Sequence, residues 1–283
     1  MIREAIAGDE KKLQRYFRDN FATTMFMRGN LRDFGLGNTV APLAMRYYIV
    51  IENNAVKGVV AITNTGTVMA EAQTALADLA AVMVKDLPEN FVCHGLLGAP
   101  AQVALLRNFL NLANTETVIN DIEPLFVLDL KNMFMPPRSG MIIRPANDAD
   151  LPVLQDRLYA YGLETGLISD SKPNRAKSDL QARARIGSDR FQFLIKDNVP
   201  VAQTAFNAVM HDAVQIGGVY TPPALRQNGY GRLAVALHLE QARKNGVKSA
   251  VLFTTDEYAA RAYRAIGFEK VGQYAILLFK AGR

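Results

Sequence analysis

The chain has 283 residues, 49% apolar and 21% charged, the balance of a soluble globular protein with room for two ordinary domains. Its single cysteine, Cys93, excludes an internal disulfide, and neither an apolar signal core nor a run of transmembrane length is present, so a cytoplasmic protein away from membranes is expected. The net charge of +5 is uneven, with 13 basic against 14 acidic residues up to Gly140 and 19 against 13 beyond it. The second half is therefore the natural home of a small anionic ligand, while the lack of a basic run with interleaved aromatics argues against nucleic acid.

In chain order, Met1-Ile2-Arg3 reads as a short strand followed by an acidic helix start at Asp9. The segment from Arg46 to Asn54 reads as an apolar strand running into an Asn-Asn turn. His94-Gly95-Leu96-Leu97-Gly98-Ala99-Pro100 precedes a helix, and Pro100 removes one of the amides that an anion would use there. The breaker cluster at 131–140, with Pro136-Pro137 and Ser139-Gly140, predicts a linker, giving domains at 1–135 and 140–283.

The second half alternates. Met141 to Arg144 is a strand, and Asn147 or Asp148 caps a helix through Leu151, Leu154 and Leu158. A helix is expected from Ser178 to Ile186, and strands at Phe191–Ile195, Pro200–Val209 and Val214–Tyr220, with a tight turn at Asp197-Asn198. Tyr230, Leu233, Ala234 and Leu237 have helical spacing, Ala250 to Phe253 is a buried strand, and Ala259, Ala262, Tyr263 and Ile266 mark a further helix that Gly267 ends. One or two strands follow from Phe268 to Phe279. Arg46 to Asn54 aligns without a gap on Arg190 to Asn198, and the opening of the chain echoes Met141 to Asp150, so the first half reads as a worn duplicate of the second.

The turn Arg226-Gln227-Asn228-Gly229-Tyr230-Gly231 lies between a strand and a helix. Glycines there admit a ligand close to the backbone, and the first amides of a helix have no internal partner, so a phosphate or pyrophosphate ligand is expected. The nucleotide P-loop pattern is absent. A dinucleotide fingerprint is matched literally at Gly229 to Ala234, but eight residues separate it from its strand and too little chain follows. The segment Val219 to Gly231 resembles the acyl-CoA signature of the GNAT acetyltransferases, [QR]-x-x-G-x-[GA], through Arg226, Gly229 and Gly231. Ala259-x-x-x-Tyr263-x-x-x-Gly267-Phe268 and Ile143 to Ala146 with Asp150-Leu151 resemble the family's late helix and first strand. Asp256 and Ala224 depart from residues frequent in that family.

The resemblance implies two tandem GNAT-like domains, α/β with mixed, mostly antiparallel central sheets flanked by helices, the first degenerate. It implies acetyl transfer from acetyl-CoA, without a metal, to a primary amine of a small molecule by direct attack on the thioester. Val219, Tyr220 and Thr221 would follow the pantetheine arm, and Arg226, Gln227, Asn228, Gly229, Tyr230, Gly231 and Arg232 would surround the diphosphate. The Val219 amide would polarise the thioester carbonyl. Gly217-Gly218 would mark a bulge or splay of the strand. Tyr263 would be the general acid, although its apolar stripe equally describes a packed core tyrosine. Glu164 and Glu257 are weak candidates for the general base, beside a base acting through water. A segment from Leu163 to Arg190 would cover the acceptor. The rival reading is an acyl-CoA-binding regulatory module without turnover, and an oligomer is compatible with either.

Overall fold

The computed structural model describes residues 1–280. In chain order the elements are β1 (Ile2–Glu4), α1 (Glu10–Asp19), α2 (Phe21–Phe34), β2 (Met45–Glu52), β3 (Ala55–Thr63), β4 (Thr67–Ala72), α3 (Leu76–Lys85), β5 (Gly95–Gly98), α4 (Pro100–Phe109) and β6 (Thr117–Asp129). The same order then repeats: β7 (Ile142–Pro145), α5 (Leu151–Glu164), α6 (Lys172–Arg185), β8 (Phe191–Lys196), β9 (Val199–Val209), β10 (Ala213–Tyr220), α7 (Tyr230–Lys244), β11 (Ser249–Phe253), α8 (Glu257–Arg264) and β12 (Glu269–Phe279). The duplication reaches individual contacts. Arg3 grips Asp9 through Nη1 and Nη2, and Arg144 grips Asp150 in the same way, each aspartate also accepting the amide three residues before it.

Two compact units result, and they are not the contiguous halves expected from the breaker cluster at 131–140. The first comprises Met1–Leu125 and the stretch from Gly272 onward, the second Phe126–Val271. In the first unit the strands run β1-β2-β3-β4-β5-β12, and Ala275 to Leu278 pair antiparallel with Gly98 to Gly95. Ala275, Leu277 and Phe279 are part of its core, with Tyr48, Leu79 and Leu96. Full burial of a leucine or phenylalanine is worth about 1.5–3 kcal/mol, so the last strand is a large contributor to this unit. The linker was placed on local composition, whereas the division follows from which strand completes which sheet.

In the second unit the order is β6-β11-β10-β9-β8-β7, with β6 belonging to it from Phe126 onward. Strands β10 and β11 are parallel, joined by α7 as the crossover, and β9 pairs antiparallel with β10 and β8, as β8 does with β7. Helix α7 is apolar on nearly every side. Leu233, Ala234 and Leu237 pack with Leu194 and Val201, while Val235, Ala236 and Leu239 pack with Val214, Leu252 and Phe126. A helix buried on two faces cannot roll, so its N-terminus is fixed at one end of the sheet.

The remaining expectations differ at boundaries. The helix expected from Ser178 starts at Lys172, because Ser171 caps it by accepting the amide of Asn174 and Pro173 suits its first turn. The late helix starts at Glu257 because Asp256 accepts the amides of Tyr258 and Ala259. An aspartate therefore does at this N-cap what an asparagine could do. The segment after Phe268 is one strand, not two. Among the described residues no helix is long and apolar enough to cross a membrane.

Candidate active site

Strands β10 and β11 pair only through Ala213–Ser249, Val214–Ala250 and Gln215–Val251. Beyond Gln215, β10 continues to Tyr220 without a partner in β11, so the two parallel strands part. The other edge of β10 is irregular at the same place, with register shifts against β9 between Gln215 and Ile216 and between Gly217 and Tyr220. Gly218 has φ +59°, a left-handed conformation costly to other residues. A Cβ at Gly217 would collide with the side-chain amide of Asn207. The two glycines thus make the expected bulge.

The chain leaves β10 through Pro222 and a single 3-10 turn at Pro223–Leu225, closed by the Arg226 amide donating to the Pro223 carbonyl at 3.2 Å. Gln227 and Gly229 take positive φ values of 65° and 73°. Such left-handed residues beside a helix start turn successive amides toward one side, forming an anion-binding concavity. Among the described residues, no acceptor engages the amides of Gln227, Asn228, Gly229, Tyr230, Gly231 or Arg232; the first helical bond of this segment runs from the Leu233 amide to the Gly229 carbonyl. Asn228 ties the turn down through its side-chain amide, which donates to the carbonyls of Leu225 and Arg226. A Cβ on Gly229 would lie 3.5 Å from Nη2 of Arg232, so this guanidinium folds back over the turn. A Cβ on Gly231 would lie 3.3 Å from Oγ1 of Thr221. Tyr230 is held by Lys196, whose ammonium lies 3.2 Å from its hydroxyl.

Arg226 faces the other way. Its Nη2 reaches both oxygens of Glu164 at 2.7 and 2.6 Å, its Nε donates to the Thr221 carbonyl, and its Cζ stands 5.9 Å from the Tyr220 ring. Glu164 is thus occupied as the C-terminal residue of α5. Glu257 opens α8, where its charge suits the helix dipole, and lies 3.6 Å from Arg264. Both glutamates are well exposed.

Tyr263 is 7% exposed and packs edge-on against Phe268 with ring centroids 5.9 Å apart. Burial pushes its phenol well above the ordinary value, with Tyr161 and Asp256 adding to the effect, and the hydroxyl stays protonated at neutral pH. It has no hydrogen-bond partner among the described residues. Sequence reasoning missed Tyr161. This residue of α5 meets the Tyr220 ring edge-on at 6.3 Å and acts electrostatically on both Tyr263 and Arg185, linking the end of β10 to α8 and α6. Three residues after Leu158 it has the spacing of a core position, and only the packing of α5 on β10 reveals it. His238 is buried on α7, stacked on Phe206 with centroids 3.6 Å apart. Its Nε2 lies 3.0 Å from the Asp189 carbonyl, which requires the proton on that nitrogen, and burial pushes its pKa down to about 4. It packs α7 against β9. Among the described residues no group of three or more His, Cys, Asp or Glu side chains is placed to hold a metal ion.

Residues 161–268, which span the bulge, the turn and Tyr263, match the acetyltransferase (GNAT) family. This stretch is similar to a GNAT acetyltransferase domain. Solved structures resemble the whole chain at the level of fold. A Drosophila protein shares 14% identity over 98% of each chain with a TM-score of 0.65. A GCN5-related N-acetyltransferase from Kribbella flavida shares 18% over 93% of this chain and 95% of its own, with a TM-score of 0.57. A tandem GNAT protein from the clavulanic acid biosynthesis pathway covers 100% of this chain and 99% of its own, at 15% identity and a TM-score of 0.50. The tandem GNAT-like architecture therefore extends over the full chain. No curated protein matches by sequence. The GNAT family and fold support acyl-CoA N-acetyl transfer in general terms.

The first unit differs at the matching place. Its parallel strands β4 and β5 pair over four positions, Thr67–Gly95 to Ala70–Gly98, and only Gln73, Thr74 and Ala75 lead from β4 into α3. No glycine lies there, and the Ala72 amide donates to Oε1 of Gln102 at 3.0 Å. The turn ahead of Pro100, compared in the sequence with the glycine turn, belongs instead to the later strand–helix junction of β5 and α4.

Proposed function

We propose that the protein is an acetyl-CoA-dependent N-acetyltransferase of the cytoplasm, moving an acetyl group to a primary amine of a small molecule by direct attack on the thioester. The observation that carries this reading is the run of amides from Gln227 to Arg232 without acceptors, at the N-terminus of a fixed helix and beside strands that part. Bound acetyl-CoA supplies the acyl group as a thioester.

The chain's own residues divide the work. The turn amides and the dipole of α7 hold the diphosphate, with Arg232 above them. Arg226 clamps the turn to α5 through Glu164. Val219, Tyr220 and Thr221 run along the unpaired edge of β10, where amides can serve an extended arm as a missing strand does. The Val219 amide polarises the thioester carbonyl. The Tyr263 hydroxyl, protonated and without a partner, supplies a proton or strong hydrogen bond to the leaving sulphur. Glu164 and Glu257 are each committed to an arginine, which favours removal of the ammonium proton through water. The first unit, with its glycine-free turn and its Ala72 amide filled by Gln102, does not take the same ligand.

The commitment of both Glu164 and Glu257 to arginines is what favours the second reading, an acyl-CoA-binding module without turnover. Release of free CoA from acetyl-CoA over a panel of small amines decides between them. Stabilisation by acetyl-CoA with no CoA released by any amine would leave only the binding module, and no stabilisation at all would remove both.

A further inference from the structure

Two arginines on the α5–α6 side of the second unit make no ion pair among the described residues. Arg157 of α5 is 9% exposed; its Nη2 donates to the Pro200 carbonyl at 2.5 Å, and its Nη1 is buried with no hydrogen-bond partner. Its Cζ stands 5.3 Å from the centre of the Phe193 ring. Arg185 of α6 stands in the same relation to Phe191, at 5.5 Å, and its side chain makes no hydrogen bond or ion pair among the described residues. The two rings are neighbours on one face of β8, 5.3 Å apart, so both guanidiniums cover a single aromatic floor. The carboxylate that Arg157 feels, Asp150, is already gripped by both nitrogens of Arg144.

Stacking explains where the stems lie, not why one buried and one half-buried cation sit side by side without an ion pair. Burial of an unpaired charge is costly, and buried arginines ordinarily meet an anion. The cost is visible in both residues, since burial lowers the proton affinity of each guanidinium. An unfilled acceptor lies in the same place. Gln203 of β9 is fully buried, pairs in register with both Phe193 and Tyr220, and leaves its Oε1 without a donor. Tyr220 and Tyr161 join the group to the end of β10: Arg157 acts on Tyr220, Arg185 on Tyr161, and the two phenol rings touch.

Unfilled cationic donors beside an unfilled acceptor complement a molecule that carries both an anion and an amine. We infer that the acceptor is a small amino carboxylate, its carboxylate received by Arg157 and Arg185 and its amine presented at Tyr220 and Gln203. This rests on the acetyltransferase reading and adds the chemical class of the acceptor. A planar carboxylate offers one oxygen to each guanidinium, and the buried Nη1 of Arg157 is left to give. The cationic surroundings also lower the proton affinity of the acceptor ammonium, which helps in a site whose nearby glutamate is tied to Arg226.

The test uses the full chain, acetyl-CoA and matched acceptors: a series of small amino acids, each with its decarboxylated amine and its amide, and aminoalkylphosphonates of equal length. Thermal stabilisation by acetyl-CoA is measured first, and its absence would sink the acetyltransferase reading itself. With acetyl-CoA bound, at least one amino carboxylate is expected to release CoA with a kcat/KM about 100-fold above its amine and amide. Arg185→Gln, at the less buried position, is expected to raise the KM for that acceptor at least tenfold, to leave the KM for acetyl-CoA unchanged, and to abolish most of the preference over the amide. Arg185→Lys is expected to recover part of it. Equal use of amines lacking the carboxylate, preference for the phosphonate, no turnover with any amino carboxylate, or an Arg185→Gln protein with unchanged preference would each overturn the inference while leaving CoA binding intact.

Discussion

Arg226 holds both carboxylate oxygens of Glu164, at 2.7 and 2.6 Å, so the residue that begins the glycine turn is fastened to the last residue of α5. The bond sets a candidate base to a positioning task. Both side chains are more than two-fifths exposed, where such pairs contribute about 0–1 kcal/mol. Glu164→Gln is therefore expected to lower kcat less than about threefold, because general-base loss would cost about 10²–10⁴. A rate measured across the pH range that fell a hundredfold would make Glu164 the base instead.

Gly231 and Gly229 separate two effects at the turn. Gly229→Ala forces a side chain into φ +73° and is expected to cost about 1–2 kcal/mol in stability. Gly231 lies in ordinary helical backbone, and a Cβ there meets Thr221 at 3.3 Å and narrows the cradle. Gly231→Val is expected to raise the KM for acetyl-CoA at least tenfold with Tm little changed, read by initial rates and thermal melts. A Gly231→Val enzyme with an unaltered KM would place the diphosphate elsewhere.

Tyr263→Phe removes one oxygen from a side chain whose ring stays packed on Phe268. The expected result is a loss of about 10²-fold or more in kcat with unchanged acetyl-CoA affinity. Because burial raises the phenol's pKa, the proton remains available throughout the neutral range and no alkaline fall in kcat below about pH 10 is assigned to it. Full activity of the phenylalanine variant would return Tyr263 to the core.

His238 gives a pH dependence of stability. Its folded pKa of about 4 lies below its unfolded value near 6.5, so the unfolded chain binds the extra proton first. Stability from this group is intact above about pH 6.5 and is lost as pH falls toward 4. Denaturant melts between pH 7 and pH 4 should show a smaller decline for His238→Gln than for the parent protein. Equal slopes would mean that another group governs the acid limb.

The strand exchange predicts what each half can do alone. A fragment of residues 1–135 lacks Ala275, Leu277 and Phe279, which fill the first unit's core, and leaves the edge of β5 unpaired. It is expected to melt without a cooperative transition, and addition of a peptide covering β12 is expected to restore one. A cooperative melt of the bare fragment would show that β12 is dispensable.

Much was legible in the sequence because local chemistry sets it. The strand, glycine turn and helix from Val214 to Lys244 follow from the apolar run of the strand, from Gly218 and Gly229, whose positive φ suits glycine, and from a 3.6-residue apolar period. The duplication was visible in the Arg46–Asn54 and Arg190–Asn198 segments because matched hairpins need matched apolar residues. Tertiary structure alone decided the rest. Burial and charge balance are properties of neighbours far apart in the chain, so Tyr161 against Tyr220, Glu164 under Arg226, and two arginines without an ion pair have no local signature. The assignment of β12 to the first unit is likewise beyond composition, since any apolar strand can close a sheet and only the register of Ala275 to Leu278 on Gly98 to Gly95 says which one.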